Sequence, residues 1–305
     1  MIVYRELRSV EQELGFSAKT LYGLSNHISG HYREVKIPKH DGSFRTLSVP
    51  DEILKRVQRA IAEKLLVYEP VSQYAKAYKI ASGVRKNARP HVGKPKLLKL
   101  DIEKFFDNIL YSTVKDRVFP PEKYAEPIRV LLSMLCYHGD GLPQGAPASP
   151  AITNIIMREF DEAVGAWCGE RGIAYTRYCD DMTFSGEFDE MQIIELVSAE
   201  LRCMGLRLNA RKTAVIPASR RQIVTGVVVN GKLNVSKEYK RKIRQEVFYC
   251  QKYGIEEHMK RSGVSLTREQ YVARLIGKIR YVCHICPEDE NFKKYKQIML
   301  DLIKK

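Results

Sequence analysis

Residues 176–184 read Thr-Arg-Tyr-Cys-Asp-Asp-Met-Thr-Phe. Short runs of the residue types that favour strands, at 174–178 and 182–184, flank the acidic pair Asp180-Asp181. The pattern predicts a β-hairpin with both carboxylates at its tip. Carboxylates at turns are usually solvated, but an unpaired charge beside apolar strand residues is costly. A divalent cation such as Mg²⁺, which prefers carboxylate oxygens, relieves that cost.

A further carboxylate follows another apolar run. Asp101 ends the segment Leu-Leu-Lys-Leu-Asp at residues 97–101, which predicts a short strand. Two divalent ions between such carboxylates can activate an attacking hydroxyl and stabilise a departing pyrophosphate. An acidic pair on its own is weak support for a two-metal site. Other segments of the chain are needed to support it.

The charge of the chain favours a polyanionic partner. The 305 residues include 51 Lys and Arg against 36 Asp and Glu, a formal net charge of +15. From Ser236 to the end there are 17 basic and 9 acidic residues. Such an excess favours binding to nucleic acid through phosphate neutralisation, although a solvated helical surface has the same composition. No apolar run reaches the ~18–20 residues that cross a bilayer, so we expect a cytoplasmic chain without a membrane partner.

The seven cysteines show no disulfide pattern, which fits a reducing compartment. Cys283 and Cys286 form one Cys-x-x-Cys without a second pair of ligands, so we interpret them as ordinary helical cysteines rather than a zinc site.

The order of elements predicts an α+β body followed by a helical arm. A hairpin is expected over Tyr32–Val49, because residues 40–43 carry an Asp-Gly turn signal. Further predictions are helices at 51–68, from Ser149 to about Trp167, and from Asp189 to Gly205, a second hairpin at 223–235 turning at Asn230-Gly231, and basic helices from Ser236 onward, with a capping box at Thr267 and Gln270.

Four segments in sequence order resemble the conserved blocks of reverse transcriptases. They are Asp101 with Phe105-Phe106, Leu-Pro-Gln-Gly-Ala-Pro-Ala-Ser-Pro at 142–150, Tyr178-Cys179-Asp180-Asp181, and Gly-Leu-Arg-Leu-Asn at 205–209 with Lys212-Thr213. The third is similar to the family's Tyr-x-Asp-Asp box, with Cys179 where alanine is common. This small side chain should be tolerated, since strand alternation points it away from the carboxylates.

The resemblance implies roles for these residues. Asp101 and Asp180 would be the main ligands of two Mg²⁺ ions, assisted by the Ile102 carbonyl, with Asp181 a weaker ligand or a turn residue. Lys212 would protonate the leaving pyrophosphate, or is a surface lysine. Phe106 would exclude a 2′-hydroxyl from the incoming sugar, although either Phe105 or Phe106 could be a core residue.

The family also implies residues that bind the deoxynucleoside triphosphate and template. Gln144 and Gly145 would border the nucleotide and template, with Gly145 allowing a close backbone approach or simply forming a turn. Arg45 would clamp the triphosphate, helped by Lys39, since a guanidinium can bind phosphate oxygens bidentately; hairpin arginines are otherwise solvated.

Two short segments resemble the retron subfamily. They are Asn-Ala-Arg-Pro-His at 87–91 and Val-Thr-Gly at 224–226, and they imply RNA-binding roles for Asn87, His91, Val224, Thr225 and Gly226. Alone, the first segment could be a polar loop and the second a plain strand.

The resemblance implies a right-hand polymerase fold. Fingers and palm would interleave over 1–235, with the fingers mainly in 1–96 and the palm, a small antiparallel sheet plus helices, mainly in 97–235; a basic helical thumb would occupy 236–305.

The implied activity is RNA-directed DNA synthesis on a cognate retron noncoding RNA, primed by a 2′-hydroxyl and giving branched RNA-linked DNA. Antiphage defence with a separate effector protein would be its role. The alternatives are a group II intron-like enzyme using 3′ primers and a non-catalytic RNA-binding scaffold or antitoxin.

Overall fold

The computed structural model describes residues 3–38, 42 and 44–304. Its helices are α1 Leu7–Leu14, α2 Ala18–Asn26, α3 Glu52–Ala60, α4 Val84–Ala88, α5 Tyr111–Val118, α6 Glu126–Cys136, α7 Ser149–Ile156, α8 Arg158–Glu170, α9 Glu190–Cys203, α10 Lys237–Tyr253, α11 Ile255–Arg261, α12 Arg268–Ile285 and α13 Glu290–Lys304. Its strands are β1 Tyr32–Pro38, β2 Phe44–Pro50, β3 Lys96–Asp101, β4 Ala174–Tyr178, β5 Asp181–Ser185, β6 Ala214–Pro217, β7 Ile223–Val224 and β8 Val227–Val228.

The first of two compact units comprises Met1–Ala81 and Leu98–Val215. Its central sheet has the strand order β4-β5-β3-β6, and β4 pairs antiparallel with β5. Apolar residues that alternate along these strands, such as Leu98, Leu100, Met182 and Phe184, lie in one buried cluster with the surrounding helices. This packing fixes the ends of β3 and β4, where the acidic residues are.

The second unit comprises Ser82–Leu97 and Ile216–Lys305. Helices α10, α12 and α13 pack against one another, and α4 contacts the short hairpin β7-β8. A separate apolar cluster that includes Val224, Val247 and Leu275 forms its core. The unit boundaries fall within β3 and β6, and the proposed thumb boundary at Ser236 lies inside the second unit; the division into fingers, palm and thumb stays a prediction.

Several predicted element ends are confirmed. The hairpin β1-β2 pairs Tyr32 with Pro50. The side chain of Asp51 accepts a hydrogen bond from the Leu54 amide at the start of α3, which continues as a π-helical segment to Leu66. Asp189 caps α9, and Thr267 with Gln270 forms the capping box of α12.

Two local predictions were inaccurate. The helix expected from Ser149 to about Trp167 divides at Met157 into α7 and α8. Ser149 is the first residue of α7, and its hydroxyl donates a hydrogen bond to the Pro143 carbonyl. The second hairpin turns tightly at Thr225-Gly226, where both residues have positive φ (45° and 82°), as type I′ turns require. Asn230-Gly231 lies in a wider connection between Val228 and Asn234, which form an antiparallel bridge.

Candidate active site

The acidic hairpin forms where the sequence predicted it, but Asp181 belongs to β5 and only Asp180 of the two aspartates is in the turn. Tyr178 of β4 pairs with Asp181 of β5, so Cys179 and Asp180 are the two turn residues. Cys179 has a φ of +62°, and a positive φ at the first turn position is typical of type II′ hairpins. Glycine is preferred there, and a residue with a Cβ stores roughly 1–3 kcal/mol of backbone strain. The alternation argument for Cys179 therefore does not apply, because this residue lies in the turn; its buried sulfur accepts a hydrogen bond from the Tyr78 hydroxyl at 3.5 Å.

Asp101 and Asp180 are brought together by the backbone. The amide of Ile102 donates to the carbonyl of Asp180 at 3.1 Å, which ties the end of β3 to the hairpin turn. The Asp101 side chain is buried, with a residue exposure of 4%. Its two oxygens accept hydrogen bonds from the Lys212 ammonium at 2.7 Å and the Asn209 side-chain amide at 3.1 Å. Asn209 also donates its backbone amide to the Asp101 carbonyl.

The carboxylates of this cluster repel one another. Burial, followed by the charge of Asp180 and then that of Asp101, raises the pKa of Asp181, while Lys99 and Lys212 oppose the shift. Burial by itself lowers the pKa of Lys212, but its hydrogen bond to Asp101 and the charges of all three aspartates outweigh this effect, so its pKa is raised. Lys212 is therefore the cation that this acidic cluster stabilises most directly.

The donor chemistry of the cluster suits a divalent ion. Asp101, Asp180 and Asp181 offer hard oxygen ligands in one partly buried place, and their mutual repulsion is the cost that a cation removes. Within the described part of the chain, no group of three or more His, Cys, Asp or Glu side chains is already arranged tightly enough to hold a metal ion. The Asp101 carboxylate instead faces Lys212 and Asn209.

Sequence reasoning missed a buried network beneath the hairpin turn. Arg177 and Asp161 form an ion pair with both side chains 0% exposed, and the guanidinium contacts the two carboxylate oxygens at 2.8 and 2.6 Å. A third nitrogen donates to the Cys179 carbonyl at 2.9 Å, and Asn154 and Tyr175 complete the set. Arg177 therefore holds the carbonyl that precedes Asp180. The sequence did not indicate this pairing, because Asp161 lies 16 residues from Arg177, on α8.

The two phenylalanines after Asp101 differ in burial. Phe105 is a core residue, whereas Phe106 is half-buried and packs edge-on against it. The carbonyl of Phe106 accepts from the Leu142 amide at 2.9 Å, which ties this segment to residues 142–150. Of the two rings, Phe106 is the one that remains partly accessible for a nucleotide sugar.

Gln144 lines a small polar pocket of about 200 Å³ with Thr46 and Ser48 of β2, and its side-chain amide donates to Asp107 at 3.2 Å. Gly145 has a φ of +124°, and a Cβ on it would lie 3.1 Å from the Ser48 carbonyl. The close approach expected of Gly145 is therefore made, in this structure, to strand β2.

Arg45 lies on β2 opposite Ile37 with its side chain exposed. Lys39 lies outside the described residues. Both assignments to the triphosphate stay predictions.

The sequence of the chain matches a known protein family. Residues 37–238 match the family described as reverse transcriptase (RNA-dependent DNA polymerase). The chain belongs to the reverse transcriptase family. Members of this family use divalent metal ions and copy an RNA template with nucleotide substrates, and the predicted α+β polymerase fold is confirmed.

Named relatives of this reverse transcriptase come from retrons. The Mx65 enzyme of Myxococcus xanthus is 31% identical, over 79% of this chain and 62% of that protein. The Ec86 and Ec83 enzymes of Escherichia coli are 28% and 32% identical, over 85% and 74% of this chain and 82% and 77% of theirs. The prediction of a retron-type RNA-directed DNA polymerase is confirmed. A solved apo telomerase from Candida tropicalis, truncated from its C-terminal domain, is 12% identical over 75% of this chain and 60% of that one, with a TM-score of 0.48.

The two retron-like segments of this reverse transcriptase meet inside its second unit. Asn87 and His91 are buried at 1% and 0% exposure, and the Asn87 amide donates to the Thr225 hydroxyl at 3.2 Å. Val224 is also buried, while Thr225 and Gly226 form the tight turn. Burial lowers the pKa of His91 to about 3. In this structure these residues hold the hairpin β7-β8 against α4; the RNA-binding role assigned to them stays a prediction.

The net charge of the reverse transcriptase lies in one unit. The second unit contains 25 basic and 9 acidic residues, a net charge of +16. The first unit, with 26 basic and 27 acidic residues, has a net charge of −1. The excess therefore extends beyond the C-terminal arm to residues 82–97, which add five basic residues and no acidic one. Among the described residues, no helix is long and apolar enough to span a bilayer.

Proposed function

We propose that this reverse transcriptase copies a cognate retron noncoding RNA into single-stranded DNA that remains joined to the RNA through a 2′–5′ branch. Deoxynucleoside triphosphates are its substrates and two Mg²⁺ ions its cofactors. The observation that carries the catalytic part is the backbone link between Ile102 and Asp180, which ties the end of β3 at Asp101 to the turn that contains Asp180.

The chain's own residues supply distinct functions. Asp101 and Asp180, with the Ile102 carbonyl and a weaker contribution from Asp181, would hold the ions. When bound, such a pair supplies the charge that activates a hydroxyl and stabilises a departing pyrophosphate. Lys212 lies 2.7 Å from Asp101 and, with its raised pKa, arrives protonated to donate a proton to the leaving group.

Substrate selection falls to residues of the first unit. The half-buried ring of Phe106 excludes a ribose 2′-hydroxyl, and Gln144 contacts the nucleotide from its pocket. Gly145 borders the template, while Arg45 and Lys39 bind the triphosphate. The RNA is bound by the second unit, whose charge of +16 favours phosphate contacts.

Priming by a 2′-hydroxyl requires that this oxygen, and no free 3′ end, reaches the place where Asp101 and Asp180 would hold the ions. Correct placement of reacting groups is worth roughly 7–11 kcal/mol at best. Residues 87–91 and 224–226 stabilise the hairpin and helix of the second unit that set this register.

The test is synthesis without an added primer. Purified protein, its cognate RNA, Mg²⁺ and deoxynucleotides should give DNA that keeps a ribonucleotide stub after RNase digestion and loses it after treatment with debranching enzyme. An RNA in which the branching guanosine carries a 2′-deoxy sugar is the matched control and should give no product. Extension of an added 3′ primer alone would contradict the branched product and leave the polymerase assignment standing.

We place this reaction in the cytoplasm and in antiphage defence with a separate effector protein. Free cysteines throughout the chain support a reducing compartment. Cells carrying the intact retron should resist phage, and the Asp180→Asn variant should lose that resistance. Equal resistance in both strains would contradict a defence role that depends on DNA synthesis.

A further inference from the structure

A pocket in the second unit lies outside the catalytic residues. It opens between α10, α11 and α12 and has a volume of about 530 Å³. Small-molecule sites commonly measure about 300–1,000 Å³, so the pocket has room for a nucleotide. Its residues play no part in the polymerase site described above.

Aromatic rings form one wall of this pocket. Tyr249 and Tyr253, one turn apart on α10, lie nearly parallel with centroids 5.9 Å apart. Both are half-buried, so part of each ring is accessible. His258 packs beside Tyr249 at 5.6 Å. Arg261 and Lys252 lie over the Tyr253 ring, so the accessible parts of the two rings are what another ring can contact.

Cations surround the aromatic wall. The Arg261 guanidinium lies 4.2 Å from the centroid of Tyr253, and Arg274 lies 5.1 Å from that of Tyr271. Lys242 lines the same pocket, and all three cationic side chains are exposed. A ligand with a flat ring and a negatively charged group on each side of that ring fits this arrangement.

One acceptor lies among these donors. Glu246 accepts from the Tyr271 hydroxyl at 3.2 Å and from Lys278 at 2.7 Å, and it also forms an ion pair with Arg274 at 3.7 Å. A carboxylate has about four acceptor positions, so Glu246 keeps capacity for an N–H group on the edge of a base. Its partners also fix its orientation.

We propose that this pocket binds one unpaired nucleobase of an RNA strand, stacked on Tyr249 and Tyr253 with its flanking phosphates near Lys242, Arg261 and Arg274. Single-stranded RNA is recognised in this way, because unstacked bases can lie on aromatic rings and guanidinium planes. The site rests on the proposed function, in which the second unit binds RNA, and it adds a place where an unpaired nucleotide fixes the position of that RNA.

The test compares single-stranded and duplex RNA on the full-length protein. The probes are a fluorescein-labelled 12-nucleotide RNA of mixed sequence and the same strand in a duplex, measured by anisotropy. Tyr249→Leu and Tyr253→Leu keep apolar bulk on the helix and remove the ring. Each should weaken single-strand binding about 5- to 150-fold and leave duplex binding unchanged.

The salt dependence separates stacking from charge. The two leucine variants should keep the wild-type slope, whereas Arg261→Gln should reduce it by about 0.7, the value for one phosphate contact on a single strand. Tyr253→Phe, which keeps the ring, and Tyr68→Ala, an exposed tyrosine of the first unit, are the controls and should bind as wild type.

An RNA carrying 4-thiouridine should crosslink to Tyr249 or Tyr253. Unchanged single-strand affinity of the leucine variants, or an equal loss for both probes, would overturn the pocket. Wild-type protein that binds RNA but extends no primer would instead contradict the proposed function.

Discussion

Replacing Arg177 with methionine should damage both stability and catalysis. The guanidinium makes two hydrogen bonds to Asp161, at 2.8 and 2.6 Å, in a place where neither side chain is exposed. Removing one partner of a buried ion pair leaves an uncompensated charge and costs about 3–5 kcal/mol. Since whole domains are stable by only about 5–15 kcal/mol, this is a large fraction of the total.

The catalytic effect follows from the remaining hydrogen bond. Arg177 donates to the Cys179 carbonyl at 2.9 Å, next to Asp180. Without it the strained turn can relax, and a displacement of ~1 Å at a reacting group costs about a hundredfold in rate. We therefore expect kcat for primer extension to fall on the order of a hundredfold at a temperature where the variant is folded.

A triple variant separates the two effects. Asp161→Leu with Tyr175→Phe and Arg177→Met removes the charges together with the hydroxyl that contacts them. Replacing a buried ion pair by apolar residues is often neutral, so stability should largely return. Activity should stay low, because the Cys179 carbonyl still lacks its donor.

The measurements are urea unfolding followed by circular dichroism and primer extension at saturating Mg²⁺. Arg129→Met is the matched control, because Arg129 is a mostly buried arginine paired with Asp116 and Glu126 away from the turn. It should lose stability and keep kcat. An Arg177→Met protein within about 1 kcal/mol of wild type in stability, or a triple variant with restored kcat, would refute this reasoning.

Three further predictions concern the sugar gate, the acidic cluster and the buried histidine. Phe106→Ala should raise ribonucleotide incorporation relative to deoxynucleotides, while Phe105→Ala, a core change, should lower stability and keep the ratio; an unchanged ratio in Phe106→Ala would place the gate elsewhere. The pKa of Asp181 is raised in the folded protein above its ordinary value of 3.8. Ionisation of this carboxyl at higher pH therefore lowers the free energy of unfolding. Asp181→Asn should therefore raise the melting temperature at pH 7 without Mg²⁺, and a lower one would contradict the repulsion. The pKa of His91 is lowered from 6.5 to about 3, so its contribution is present above pH 6.5 and is lost as pH falls. The stability of wild type relative to His91→Phe should drop by about 1.4 kcal/mol per pH unit below 6.5, and a pH-independent difference would mean that the ring is charged or exposed.

The aspartates of the candidate active site stood out in the sequence because each one lies in a local pattern. Asp101, Asp180 and Asp181 each follow or interrupt a short apolar strand, and the structure joins two of those strands through Ile102 and Asp180. Their supporting contacts could not be predicted in the same way. Arg177 contacts Asp161, 16 residues away in sequence, and Asn87 contacts Thr225, 138 residues away. No local sequence pattern indicates either pairing.

The burial of polar residues could not be predicted from the sequence either. A polar segment such as residues 87–91 reads as a surface loop, yet Asn87 and His91 are inside the second unit. Similarly, the sequence predicted one helix where the structure has α7 and α8, divided at Met157. The charge difference between the units also emerged only when residues 82–97 were found with the C-terminal helices.

Metal-dependent DNA synthesis on an RNA template is the most direct test of the catalytic assignment. Wild type and Asp180→Asn should be compared on the same annealed template and primer across a Mg²⁺ titration, with RNA affinity measured in parallel. We predict full-length DNA from wild type, no synthesis by Asp180→Asn at any Mg²⁺ concentration, and equal RNA binding by both, because in the proposed function the carboxylate would hold the ions and the second unit would hold the RNA. Incorporation by Asp180→Asn at a rate close to that of wild type would contradict the assignment of Asp101 and Asp180 as the catalytic pair.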